Sequence, residues 1–271
     1  MSVLRAAERR ARVAAVFDRV ADTYDSVGVS WFQPIARELV ARLGPVAGQR
    51  ALDIGCGRGA ALFALADAVG PAGRVTGIDL APRMVAATLA DARARGLANV
   101  DVLVDDAGAP ALPPGACDVA AASFVLFFLP APVAALRAWH ELLVPGGRLG
   151  VSTFAESGAG WLQDVFRPYL PVPAFAAPSP FATDEGVEGL FTAAGFRKVR
   201  TEAFDLDVAF ADVDQWYEWS WSHGQRATWE RLAPEDRPRV RAAAAERLRE
   251  FRAADGVIRL SHRIRYTFGE R

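Results

Sequence analysis

Cysteine is nearly absent. Two residues, Cys56 and Cys117, stand in apolar, strand-like contexts. That excludes a disulfide framework and a cysteine-based metal site, no metal is expected, and a reduced, cytoplasmic protein is the default. No run of about 18 apolar residues occurs, so no membrane span is expected. The N-terminus, Met1 to Arg12, alternates charge with alanine and lacks the apolar core of a secretory signal. An excess of charge is missing too: the net charge is −1 over 271 residues. No global field therefore draws the chain to nucleic acid or to an anionic surface. Lysine is scarce beside arginine, which reads most simply as codon bias.

Apolar residues make up 52% of the chain, ample for a packed core of one large domain or of one domain with a cap. From Leu4 to Val20 they recur at helical spacing, and a second helix is expected from Trp31 to Leu43, broken by Gly44-Pro45. Strand and helix signals then alternate. Strands are expected at Arg50–Ile54, Arg74–Ile78, Val100–Val104, Asp118–Phe124 and Gly147–Phe154, with helices at Ala60–Val69, Pro82–Arg95 and Pro132–Leu143 between them. Such alternation argues for an α/β fold with a parallel sheet and helices on both faces. Residues 155–183 are rich in proline and read as a loop or lid. A helix from Thr183-Asp184 to Gly195, a strand at Phe196–Phe204, a helical stretch over 212–254 and a closing strand at Ile258–Phe268 complete the chain. Residues 1–45 thus form an N-terminal helical lid and 46–271 the main domain. A cap of about forty residues lies between the last two strands, longer than most connections.

The loop Asp53-Ile54-Gly55-Cys56-Gly57-Arg58-Gly59 follows a strand and opens a helix. Closely spaced backbone N–H groups face a ligand there, and glycine permits close approach. Alone, the loop also suits a dinucleotide. Three acids narrow it. Asp53 would repel a pyrophosphate but can hold an ammonium group. Asp79 ends the second strand, where a carboxylate can accept bonds from a ribose diol. Asp105-Asp106-Ala107 follows the third strand, where a carboxylate can accept from an adenine amino group.

With these motifs the chain resembles class I S-adenosylmethionine methyltransferases of the ubiquinone/menaquinone-biosynthesis and bacterial natural-product type. The matching segments are Ala-Asp-Thr-Tyr-Asp at 21–25, Leu-Asp-Ile-Gly-Cys-Gly-Arg-Gly at 52–59 and Gly-Ile-Asp-Leu-Ala-Pro-Arg-Met at 77–84. They continue with Asp-Asp-Ala at 105–107, Cys-Asp-Val-Ala-Ala-Ala-Ser-Phe at 117–124 and Leu-Leu-Val-Pro-Gly-Gly-Arg-Leu at 142–149. The resemblance implies a Rossmann-like sheet of seven mostly parallel strands with the last antiparallel. It implies S-adenosyl-L-methionine as cofactor and a small-molecule acceptor. Asp53 and Gly55 would face the methionine moiety, with Gly57 beside it. Asp79 would hold the ribose, Met84 would pack near the adenine, and Asp106 with Ala107 would bind its edge. Ser123 would sit beside the cofactor, and Tyr24 would close over its methionine end. Core packing is the competing reading of Met84, and a surface aromatic that of Tyr24.

The acceptor is sought in the cap. Residues 216–229 read Trp-Tyr-Glu-Trp-Ser-Trp-Ser-His-Gly-Gln-Arg-Ala-Thr-Trp. They form either the apolar face of a cap helix or an aromatic pocket with His223 and Arg226 at the acceptor's polar end. Trp219, Arg226 and Phe128 are the expected acceptor contacts. His223 is the expected general base for a phenol, quinol or similar metabolite methylated on carbon or oxygen. An isoprenyl diphosphate is the alternative acceptor, with Arg226 and His223 on its phosphates and Glu156 removing a proton after alkene methylation. A noncatalytic cofactor-binding partner or regulator is the alternative of another class. The N-terminal helices are where a second copy could pack.

Overall fold

The strands that carry the glycine loop and its neighbours are apolar on both faces, as a sheet covered by helices on both sides requires. A computed structural model describes residues 2–155, 160–170 and 179–271, with side chains from residue 8 onward. In chain order the elements are α1 (Ser2–Val20), α2 (Phe32–Leu43), β1 (Arg50–Ile54), α3 (Ala60–Val69), β2 (Arg74–Asp79), α4 (Pro82–Ala94), β3 (Val100–Val104) and β4 (Cys117–Ser123). They continue with α5 (Pro132–Leu142), β5 (Leu143–Phe154), α6 (Gly160–Phe166), α7 (Asp184–Ala194), β6 (Arg197–Phe210), α8 (Val213–Trp221), α9 (Arg226–Arg231), α10 (Arg237–Leu248) and β7 (Ile258–Glu270).

The seven strands form one sheet in the order β3-β2-β1-β4-β5-β7-β6. All neighbours run parallel except β7, which is antiparallel to both β5 and β6. Strand β1 pairs with β2 on one side and β4 on the other. The winding reverses there, and in such sheets the reversal opens a crevice at the carboxyl ends of the strands.

Local chemistry sets the element ends. Helix α2 buries Ile35, Ala36, Leu39, Val40 and Leu43 along one stripe, and Gly44 closes it in the left-handed region with its N–H on the Val40 carbonyl. Helix α7 begins where the Thr183 hydroxyl accepts the Gly186 N–H at 3.0 Å.

Three segments differ from their expected form. The 155–183 stretch contains α6, whose Trp161, Leu162, Val165 and Phe166 are buried at helical spacing. Phe166 packs edge-on against Trp229, and Trp161 lies 5.7 Å from Trp216. The 212–254 stretch is three helices, interrupted at Ser222–Gln225 and again near Pro234. Strand β6 runs six residues beyond Phe204. It is an edge strand paired only with β7, so Asp205 and Asp207 face solvent between inward-leaning neighbours at no cost.

Candidate active site

One cavity of about 1080 Å³ occupies the carboxyl ends of the central strands, at the upper end of what small-molecule sites hold (roughly 300–1,000 Å³). Gly55 and Gly57 of the glycine loop, Asp79 and Asp106 line one part of it. Aromatic rings from α2, the β4–α5 connection, β5, α6 and α8 line the other. Helix α1 borders it with Arg9, Arg10, Val13, Ala14 and Phe17.

The loop adopts left-handed backbone at Gly55, φ +70°. A Cβ there would stand 2.4 Å from the Val125 side chain, so no other residue fits. Gly57, φ +49°, donates its N–H to Asp79 Oδ2 at 2.8 Å, while Ala81 N–H donates to Asp79 Oδ1 at 2.9 Å. These bonds hold the carboxylate facing the cavity and leave each oxygen a further lone pair. Burial nevertheless raises the Asp79 pKa.

Asp53 is 1% exposed and its Oδ2 has no hydrogen-bond partner among the described residues. Burial, with the charge of Asp79 nearby, pushes its pKa up to about 8. A buried, unpaired carboxyl is costly unless a cation completes it. The α-amino group of S-adenosylmethionine is such a cation. Asp53 is not itself among the cavity-lining residues, but Gly55 two positions on is, and with Asp79 and Asp106 also on the wall the residues present fit that cofactor.

Asp106 lines the cavity with Oδ1 held by the Gly108 N–H and Oδ2 accepting from Arg10 at 3.2 Å. Ala107 is fixed by its carbonyl, which accepts the Trp139 indole N–H at 2.7 Å. Ser123 lines the wall and shares a 2.9 Å hydroxyl contact with Ser152. Tyr24 stacks on Phe32 at 4.6 Å and reaches over Gly57. Phe128, Trp219 and His223 also line the cavity.

Other expectations change. Met84 is fully buried with Val20, Ala21 and Ala81 and does not reach the cavity, so it is a packing residue. Arg226 does not line the cavity either. Its guanidinium donates to Glu230 at 2.7 Å and lies over the Trp221 ring, because one helical turn brings positions 226 and 230 together. Glu156 lies outside the described residues.

His223 is corrected in role. Its Nδ1 accepts the Gln225 N–H at 3.3 Å, and its Nε2 has no partner among the described residues. Burial lowers its pKa to about 3. A neutral imidazole whose Nδ1 is an acceptor carries its proton on Nε2. His223 therefore offers an N–H donor, and it is not poised as a base.

Several lining residues were missed in the sequence. Phe124 follows β4 in the left-handed region, φ 57°, at a cost on the order of 1–3 kcal/mol. Its N–H is held by Ser152, and its ring packs 4.7 Å from that of Phe154. Trp31 precedes α2 and lines the cavity. Thr153 is 1% exposed with an unpartnered hydroxyl. His262 stands on β7, its Nε2 unpartnered and its pKa lowered by burial to about 4. A signal for it existed: in Leu260-x-His262-x-Ile264-x-Tyr266-x-Phe268 the histidine occupies the apolar register of a strand.

Comparison with known proteins agrees with this geometry. A family model described as "Methyltransferase domain" matches residues 51–147. The chain is 37% identical to the nocamycin O-methyltransferase of Saccharothrix syringae, over 94% of this chain and 96% of that one. It is 41% identical to the aklanonic acid methyltransferase of Streptomyces sp. (strain C5), over 59% of this chain and 74% of that one. The solved structure of the YcgJ protein from Bacillus subtilis shares the fold, with a TM-score of 0.60 at 15% identity over 88% of this chain and 98% of that one. No helix among the described residues is long and apolar enough to cross a membrane. Likeness along nearly its whole length to a named methyltransferase makes this chain a member of the class I S-adenosylmethionine-dependent methyltransferases, enzymes that pass a methyl group from that cofactor to an acceptor, here a small molecule.

Proposed function

We propose that this enzyme methylates an acidic oxygen of a flat, multi-ring natural-product acceptor. The observation that carries the reading is His223: a neutral N–H donor, unpartnered, in a cavity walled by aromatic rings. A donor of that kind orients and stabilises an oxygen that is already ionised or readily ionised. It would not help an ordinary alcohol, which needs a strong base. The rings of Trp31, Phe32, Phe124, Phe154 and Trp219 suit a planar acceptor. The named relatives act on nocamycin-type and aklanonic acid-type compounds, which supports a natural-product acceptor.

S-adenosylmethionine, when bound, supplies a methyl group activated by its sulfonium. In this reading Asp53 ionises to hold the ammonium group, and Gly55 and Gly57 give it a close approach. Asp79 accepts the ribose hydroxyls on its free lone pairs, and Asp106 with Ala107 receives the adenine edge. Ser123 and Tyr24 border the methionine end. Phe128 and Trp219 pack on the acceptor, and the surrounding rings exclude water from the transfer. Residues 1–45 act as the lid and 212–254 as the acceptor cap. An isoprenyl diphosphate fits less well: Arg226 is committed to Glu230, and the described cations of the lining, Arg9 and Arg10, lie on α1.

The test is transfer of a ¹³C-methyl group from labelled cofactor to a panel of hydroxylated polycyclic phenols and carboxylic acids, with the product carbon located by NMR. Label on oxygen is expected. Label on carbon, or transfer only to prenyl diphosphates, would overturn the reading.

A further inference from the structure

Buried polar atoms without partners are rare in folded proteins. In this cavity they gather in the part away from the glycine loop. His223 Nε2, His262 Nε2 and Thr153 Oγ1 all lack a partner among the described residues, and Thr153, His223 and His262 line the same space. Other polar groups nearby are already used: the Ser220 hydroxyl donates to the Tyr217 carbonyl and accepts from the Trp229 indole. Among the described residues that line the cavity, these three carry the fully buried side-chain atoms without a partner.

His262 has a further constraint. Its ring meets Trp31 edge to face at 4.4 Å, with an interplanar angle of 87°. Trp31 in turn contacts Trp219 at 5.5 Å, and Trp219 contacts His223 at 4.4 Å. The two imidazoles thus terminate a run of ring contacts whose middle is two indoles. His223 comes from the α8–α9 junction and His262 from β7, so neither can follow the other if its own element shifts. An apolar residue would suit the inward register of β7 better than histidine if packing were the only demand.

We propose that His262 is a second acceptor-binding residue, so that the cavity reads two separate oxygens of one planar acceptor, one at His223 and one at His262. The acceptor class is a multi-ring aromatic compound with an acidic oxygen and at least one further hydroxyl or carbonyl oxygen. The rings lie against Trp31 and Trp219, and the second oxygen satisfies the His262 imidazole. Thr153 offers a third hydroxyl contact from β5. This deepens the function proposed above and rests on it for the identity of the methylated oxygen, although not for the binding contact itself.

The experiment is equilibrium binding to the protein saturated with S-adenosylhomocysteine, followed by tryptophan fluorescence. The probes are rhein, a dihydroxyanthraquinone carboxylic acid, and anthraquinone carboxylic acid, which lacks both hydroxyls. Wild type should bind rhein about tenfold tighter than the analogue. His262→Phe, which keeps a ring against Trp31, should abolish that preference by weakening rhein alone. His262→Gln, which restores a polar head, should recover part of it and guards against a misfolded phenylalanine variant. Affinity for S-adenosylhomocysteine should be unchanged in both. Equal weakening of both probes would make His262 only a packing partner of Trp31. A preference that survives His262→Phe, or failure of wild type to prefer or bind rhein while it binds S-adenosylhomocysteine, would also overturn the proposal. Binding with the expected preference but no methyl transfer to oxygen would remove the oxygen-methylation reading and leave the His262 contact standing.

Discussion

Asp53 holds the largest unspent interaction at a single residue. Its pKa of about 8 means that near pH 7 the free enzyme carries it mostly protonated. In the proposed reading an ammonium ligand pairs with the ionised form, so binding would expel the proton. Calorimetry with S-adenosylmethionine at pH 7, in two buffers of unlike ionisation enthalpy, should report release of most of one proton. Asp53→Asn should release none and should bind roughly 10- to 100-fold more weakly. Equal binding by the variant would place the ammonium elsewhere. His223 makes a different demand. As an N–H donor that is neutral down to about pH 3, it gives no protonation step to the rate between pH 6 and 8. His223→Ala should lower kcat/KM for the acceptor about 10- to 100-fold with cofactor affinity intact. A rate that falls with a midpoint near pH 6.5, and loses that midpoint in His223→Asn, would restore it as a base. Arg226→Ala should leave acceptor KM nearly unchanged, because the guanidinium is spent on Glu230.

At the scale of elements, α1 is held to the rest by polar contacts as well as by the packing of Val20 and Phe17 against Ala81 and Met84. Arg19 bonds both Glu230 oxygens, at 3.0 and 2.6 Å, and joins α1 to α9. Arg83 holds Asp18 and Asp22 from α4, and Arg9 reaches the Phe128 carbonyl. Such partly exposed pairs are worth about 0–1 kcal/mol each, so the apolar packing on Met84 carries most of the attachment and each pair only trims local opening of α1. Glu230→Gln should speed hydrogen exchange in α1 and leave the melting temperature almost unmoved. Unchanged exchange would show that the Arg19 contact does not restrain the lid. Arg265 is the opposite case. It is 2% exposed and donates to Asp184 and to the carbonyls of Phe154, Ala155 and Phe181, pinning two stretches of the cavity wall to β7. Arg265→Met removes the donors of those part-buried carbonyls and of Asp184 and should cost about 2–4 kcal/mol in urea unfolding. A loss below about 1 kcal/mol would mean that the wall holds itself.

For the molecule as a whole, the buried groups set an unusual pH dependence. His223 and His262 have folded values of about 3 and about 4, below an unfolded value near 6.5. Remaining neutral is free above about pH 6.5. Below it the unfolded chain binds protons that the fold refuses, so stability falls with falling pH. Asp53 is raised, so its contribution is full below about pH 3.9 and is lost as pH rises through about 8. The opposing slopes of these three groups cross at about pH 6.5, and the burial-raised carboxyls of Asp25 and Asp79 pull the maximum of the free enzyme lower. In the proposed reading saturating S-adenosylmethionine would ionise Asp53 in the fold and so should move the maximum upward. Thermal unfolding from about pH 5 to 9, with and without ligand, measures both. A maximum that ignores the ligand would contradict the assignment of Asp53.

Much of this was legible in the chain because its causes are local. A strand that ends in Asp53 and turns through Gly55, Gly57 and Gly59 into α3 is a segment of few residues, and only glycine tolerates its backbone. Alternating strand and helix patterns likewise carry their own periodicity, so the Rossmann-like order and the place of Asp79 and Asp106 at strand ends follow from position alone. The acceptor side has no such locality. Arg226 looked free until its partner one turn on, Glu230, was also engaged by Arg19 from the far end of the chain. Met84 matched a motif position, yet α1 closed over it. Trp31, Thr153, His223 and His262 come from four distant stretches, and nothing along the chain links them. The sequence by itself determined the methyl donor, because its cradle is built from neighbours in the chain. Only the tertiary structure decided which side chains line the cavity together and which of their polar atoms are left without a partner among the described residues, because packing across folded elements sets both.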